Sequence, residues 1–164
     1  MSEEGARSAA RDGLGLLLGR VEHGGGSPVA NQTRTARIYR AALGPRAAQA
    51  RIAAGRTLYP AADRATALRE LAEVMRPQLE AQARAGFLPG GATLEEALAR
   101  LHIIHGHPEE IAQMLLAEQA AIGWTELLVQ VDPGDTPPGR ALRALEVVAR
   151  EIVPALAAAV PVPA

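Results

Sequence analysis

The chain has no cysteine among its 164 residues, which excludes disulfides, thiolate metal ligands and a cysteine nucleophile together. Aromatic side chains make up only 2% of it, so a core has to be assembled from Ala, Leu, Val and Ile. Neither sign of charge is in surplus: 17 basic and 18 acidic residues leave a net charge of −1, and no block of like charge stands out. Nothing in that balance draws the protein to nucleic acid or to an anionic membrane, and neither is expected as a partner. A membrane-spanning run is missing as well. The apolar stretch LGLLLG near the start is far too short to cross a bilayer, and Glu3 and Glu4 stand where a secretory leader carries basic residues. A cytoplasmic location is the expectation.

What is present is ordinary for a globular protein, with 48% hydrophobic and 21% charged residues arguing against extensive disorder. The length suits one domain that buries most of its apolar surface. Only the end, AAAVPVPA, reads as frayed, which sets a domain over residues 1–157 and a flexible tail over 158–164.

Along the chain, apolar runs alternate with helical patterns. SEEGARSAARDG has an N-cap in Ser2, acids in the first turn and Gly13 as a stop, so it predicts a short helix. LGLLLGRV, Leu14 to Val21, is apolar without alternation and reads as a strand buried on both faces. ANQTRTARIYRAALG has helical spacing and ends at Gly44-Pro45. A second strand is predicted from Arg51 to Tyr59, followed by a helix through Leu68, Leu71, Val74, Met75 and Leu79 with Pro77 inside it. A connector then holds a small helix capped by Thr93, and HIIHGHPEE reads as the lead-in to a helix with Pro108 at its first position. That helix is amphipathic, with Ile111, Met114, Leu115 and Ile122 inside and Glu110, Gln113 and Glu118 outside. A third apolar run, Glu126 to Val131, precedes a last helix that faces inward through Leu142, Leu145, Val148, Ala149 and Ile152.

After the opening helix the order is β, α, β, α, α, β, α, so the fold class is α/β with about three parallel strands and flanking helices. Parallel strands end on one rim, where ligands bind in such folds. The rim would gather His23 with Gly24 to Gly26, Tyr59 and Asp63, and Asp132 to Asp135.

Three stretches resemble the luciferase-like flavin-dependent monooxygenases and oxidoreductases, which are (β/α)8 barrels. SEEGARSAARDGLGLLLGR is similar to that family's helix-then-strand unit with a Ser-x-x-Gly-Ala start. RIAAGRTLYPAADRATA is similar to a late barrel strand and the helix after it, and HGHPEEIAQMLLAEQAAIGWTELLVQVDPGD with the long helix that follows is similar to the closing segment. The resemblance covers most of the chain but about the last three strands of the barrel, so it implies a partial barrel, FMN or a deazaflavin as cofactor, and a small-molecule substrate. It also leaves open a non-catalytic module that associates through exposed sheet edges, as a homo-oligomer or with a companion chain.

The resemblance also suggests site residues. Ser2 and Gly5 match the turn that holds the flavin phosphate, where free backbone N–H groups at a helix start attract an anion. Arg56 falls where relatives carry a polar residue facing the barrel interior and would meet substrate or a flavin oxygen; the alternative is an exposed position on an edge strand. His23, on a glycine-rich loop, is the other substrate-binding candidate, although its glycines lack the spacing of a nucleotide-binding motif. His102, His105 and His107 crowd six positions, yet His107 stands at a helix start whose positive end disfavours a cation, so no metal site is expected.

Overall fold

The computed structural model describes residues 2–19, 27–86, 88 and 91–159. The elements run α1 (Glu3–Arg11), β1 (Leu16–Leu18), α2 (Pro28–Leu43), a 3₁₀ segment (Gly44–Gln49), β2 (Ile52–Pro60), α3 (Arg64–Arg84), α4 (Leu94–Arg100), β3 (Ile103–Gly106), α5 (Pro108–Ile122), β4 (Glu126–Gln130), α6 (Pro138–Val147), a π-helical turn (Val148–Ile152) and α7 (Val153–Ala159). This is an α/β chain whose strands join in one sheet. β1 lies parallel to β2, Leu16 opposite Ile52 and Leu18 opposite Ala54. β3 also lies parallel to β2, Thr57 opposite Ile103 and Pro60 opposite Gly106. β4 pairs with β2 as well. No helix among the described residues is long and apolar enough to cross a membrane.

The sheet has one strand more than the sequence reading gave it. HIIHGHPEE is not only a lead-in: Ile103 to Gly106 form β3, all four residues buried. The strand is too short to show a period, and its histidine disguises an otherwise apolar run. Gly106 ends it at φ 132°, a backbone conformation that side-chain-bearing residues rarely adopt, and a Cβ there would stand 2.9 Å from the Glu110 carboxylate. Glycine thus leaves room for Glu110 to reach back and accept the His107 backbone N–H at 3.3 Å. His107 in turn caps α5, its Nδ1 accepting from the Glu109 N–H at 3.4 Å and its carbonyl from the Ile111 N–H at 3.0 Å.

The chain forms two compact units, one of Met1–Arg56 with Ala117–Val129, the other of Thr57–Leu116 with Gln130–Ala164. In the first, α1 and α2 cover one face of the strands. Ala6 and Ala10, one helical turn apart, lie in a cluster with Leu16, Leu18, Tyr39, Ile52, Ala54 and Trp124. The Tyr39 hydroxyl donates to the Leu14 carbonyl at 2.8 Å, which satisfies its polar end inside that cluster. Arg40 donates to the carbonyls of Ile122 and Gly123, so the orphan acceptors at the C-terminal end of α5 are paired with a cation.

In the second unit α3 and α4 supply the cover. Tyr59, Ala67, Leu71, Met75, Leu98 and Ile103 form the centre of a second apolar cluster. α4 starts at a capping box in which the Glu96 N–H donates to Thr93 Oγ1 at 3.2 Å and the Thr93 N–H donates to Glu96 Oε2 at 2.8 Å, as the predicted cap requires. α3 continues through Pro77. Several apolar residues expected inside are exposed: on the helices Met114 at 46%, Leu142 at 63%, Leu145 at 50% and Ala149, and in the first apolar run Leu14 and Leu17, so that run is not buried on both faces and only Leu16–Leu18 of it form a strand. The last helix buries Val148 and Ile152 as expected, with Ala144 as the third inward position, four apart along a stripe that passes through the π-helical turn. The expected tail, residues 158–164, begins inside α7, and residues 160–164 lie outside the described residues.

Candidate functional site

Ser2 sits at the N-cap of α1, in extended backbone, and its Oγ accepts the Gly5 N–H at 3.1 Å. Its carbonyl accepts the Ala6 N–H at 3.1 Å and opens the helix ladder. The two acids in this first turn have cations beside them: Glu3 faces Arg7 at 3.9 Å and Arg34 at 3.6 Å, and Glu4 faces Arg11 at 3.3 Å. Such exposed pairs contribute little to stability. They do offset two negative charges at the end of a helix whose dipole and N–H groups favour an anion.

Arg56 is not an exposed residue on an edge strand, the second of the two positions the sequence offered. It is 0% exposed, and two of its three donors go to side chains far along the sequence. Nε donates to Glu118 Oε2 at 2.6 Å, Nη2 to Gln32 Oε1 at 2.8 Å and Nη1 to the carbonyl of Gly55 at 2.7 Å. Gln32 in turn donates to the Gly19 carbonyl at 2.9 Å. The guanidinium is therefore enclosed and paired, as burial of a charge requires. Glu118, read from the sequence as an outward residue, is only 7% exposed. It follows Ile111 and Leu115 and precedes Ile122 at spacings of four, three and four, so the helical period places it on the buried stripe; its charge suggested otherwise.

At the strand ends of the second unit the rim residues Tyr59, Asp63 and Asp132 are engaged in local hydrogen bonds. Tyr59 turns toward α3, its hydroxyl donating to Glu70 Oε2 at 2.9 Å, and burial together with that carboxylate pushes its pKa up to about 12. Asp63 caps α3 by accepting the Thr66 N–H at 2.6 Å, and this bond holds its carboxyl below the usual range. Asp132 folds its own turn, Oδ1 accepting from the N–H groups of Gly134 at 3.2 Å and Thr136 at 3.3 Å. In the same unit a cavity of about 220 Å³ at the end of β2 is lined by Pro60, Ala61, His107, Pro108, Arg143 and Glu151 among others. His23 and Gly24 to Gly26 lie outside the described residues.

The histidines do not converge. His107 is the exposed cap of α5, whereas His105 is buried in β3 with Nδ1 3.1 Å from the Ile103 carbonyl. His102 precedes that strand at φ 53°. Among the described residues no three His, Asp or Glu side chains form a group that could hold a metal ion.

No family model matches the chain, and no curated protein sequence matches it. Solved structures do. A monooxygenase from Streptomyces bottropensis aligns with a TM-score of 0.69 at 22% identity, over 93% of this chain and 45% of its own. The oxygenating constituent of 3,6-diketocamphane monooxygenase from the CAM plasmid of Pseudomonas putida, a type II Baeyer–Villiger monooxygenase in complex with FMN, gives 0.67 at 20% identity, over 92% and 45%. EDTA monooxygenase from Chelativorans sp. BNC1 gives 0.66 at 17% identity, over 99% and 44%. The likeness is one of fold, and the chain spans less than half the length of each of these proteins.

Proposed function

We propose that this chain is the closing part of a luciferase-like (β/α)8 barrel and serves a flavin-dependent monooxygenase or oxidoreductase acting on a small molecule. The observation that carries the reading is the fold likeness: more than nine-tenths of the chain follows monooxygenases, one of them in complex with FMN. A bound reduced flavin, FMN or a deazaflavin, would supply the electrons, passed to oxygen or as a hydride. The part of this chain is to bind and orient it.

The start of α1 is the proposed phosphate site. Ser2 Oγ accepts the Gly5 N–H and keeps its own proton to donate, and the helix end favours negative charge, with Arg34 and Arg7 offsetting Glu3. Ser2 and Gly5 are accordingly the proposed phosphate-binding residues. Arg56 enters the reading as a fixed charge: to contact a substrate oxygen it would have to release Glu118, Gln32 or the Gly55 carbonyl. His23 is the second proposed substrate contact.

Titration with FMN, followed by quenching of flavin fluorescence, tests this. FMN is expected to bind and to do so more tightly than riboflavin, which lacks the phosphate. Ser2→Asp, which adds a carboxylate at the helix end, should weaken FMN binding by about two- to fivefold and leave riboflavin unaffected. Absence of quenching with either flavin removes the reading, and equal affinity for both removes the role of Ser2 and Gly5.

A further inference from the structure

The cavity in the second unit lies where two parallel strands end, β2 at Pro60 and β3 at Gly106, and all of its lining residues belong to that unit. The carboxyl ends of parallel strands are where ligands bind in open α/β sheets. Its volume of about 220 Å³ is room for roughly seven waters, and so for a small molecule. Pro60, Pro108 and the half-buried Val147 give it apolar walls, and His107, Arg143 and Glu151 give it polar groups of three kinds. His107 Nδ1 accepts the Glu109 N–H at 3.4 Å, so the neutral ring carries its proton on Nε2 and has a donor left. Arg143 meets Glu70 at 3.7 Å with its side chain 59% exposed, a contact that contributes little and is easily exchanged. Glu151 supplies the opposite charge.

The last helix is wound to keep these groups together. Arg143, Val147 and Glu151 follow one another at intervals of four, which in a regular α-helix drift round the axis because a turn takes only 3.6 residues. The π-helical turn Val148–Ile152 is wider and takes the drift back, so that all three line one cavity while Ala144, Val148 and Ile152 remain buried. Single π turns of this kind are frequent at functional sites.

We propose that this cavity binds a small aliphatic zwitterion, its carboxylate received by Arg143 and His107, its ammonium by Glu151, and the chain between them by Val147 and the two prolines. Charge and distance select that class. The lining offers one guanidinium and one carboxylate, so a ligand of single charge leaves one of them unmatched. Eight residues separate Arg143 from Glu151, about 12 Å along the helix, which calls for charges several bonds apart rather than an amine and a carboxylate on one carbon. The site stands whether or not the chain binds flavin, because none of these residues enters that reading.

The test titrates the full chain at low salt with three probes of similar length, 6-aminohexanoate, hexanoate and hexylamine, followed by the backbone amide NMR shifts of Ala61, His107 and Val147. 6-Aminohexanoate is expected to move these amides and to bind about two- to fivefold more tightly than either singly charged probe, an advantage that shrinks as salt is added. Glu151→Gln should abolish its advantage over hexanoate while hexanoate binding stays unchanged, which also shows that the variant is folded. Arg143→Gln should abolish its advantage over hexylamine in the same way. Both side chains are exposed, so neither substitution should lower the thermal midpoint by more than about two degrees. The proposal is overturned if no probe moves the three amides, if all three probes bind alike, or if the preference for the zwitterion survives both substitutions. The two readings fail separately. FMN binding without any response to the probes removes this site alone, and a response to 6-aminohexanoate without FMN binding keeps it and removes the flavin.

Discussion

Each compact unit pairs parallel strands under covering helices, β1 with β2 in the first and β2 with β3 in the second, but the two enclose different chemistry. The first buries an ion pair, Arg56 with Glu118, whose side chains are 0% and 9% exposed, and completes it with Gln32. The second is built round an apolar cluster in which Leu71, Met75 and Leu98 are each 0% exposed. The contrast separates two ways of filling an interior. Apolar side chains contribute roughly in proportion to the area they hide from water. A buried pair gains Coulomb energy that is largely cancelled by desolvation, so its main effect is to require particular partners at particular places.

The largest effect should come from breaking the pair on one side. Glu118→Leu leaves the Arg56 charge enclosed with its strongest partner gone, and a loss of about 3–5 kcal/mol in unfolding free energy is expected from urea denaturation. The double substitution Arg56→Met with Glu118→Leu should recover most of it, because neither charge then has to be desolvated. A single-substitution loss below about 1 kcal/mol would mean that Arg56 reaches water or another anion. In the second unit, Leu71→Ala should cost about 2–5 kcal/mol through lost transfer energy and the cavity left behind. There no second substitution of comparable simplicity restores the packing. Finding that Leu71→Ala costs under 1 kcal/mol would sink the distinction between the two interiors.

Much of the fold could be read directly. The caps Ser2 and Thr93, the proline opening α5 and the Gly44-Pro45 stop act locally, through backbone groups a few residues away, and each stands where the sequence put it. What could not be read depends on distant residues. Nothing near Arg56 announces its partners, because Glu118 is 62 positions away and Gln32 is 24. Glu118 was nevertheless detectable by spacing, on the stripe with Ile111, Leu115 and Ile122; reading its charge ahead of its position sent it to the surface. β3 escaped because four residues cannot display a period and two histidines stood at 105 and 107. The exposure of Met114, Leu142 and Leu145 is decided by which neighbouring elements reach them, which their own helices do not encode.

The smallest predicted effect also bears on the contrast, since the second unit has a titratable group of its own inside. His105 is 8% exposed, and among the described residues its Nε2 is buried without a partner. Burial lowers its pKa, the Arg64 cation adds to that, and the Ile103 carbonyl and Glu95 oppose it. The unfolded chain, with an ordinary imidazole near pKa 6.5, therefore takes up the proton first as pH falls. Its contribution to stability is whole above about pH 6.5 and is lost as pH drops from there through the lowered folded value. His105→Leu removes the titration without stranding a hydrogen-bond partner other than one strand carbonyl, so wild type and variant should be similar in stability at pH 8. Between pH 7 and 5 the wild-type denaturation midpoint should fall more steeply than that of the variant. Parallel curves over that window would show that His105 accepts its proton in the folded protein as readily as in the unfolded one, and that the second interior is as tolerant of charge as the first.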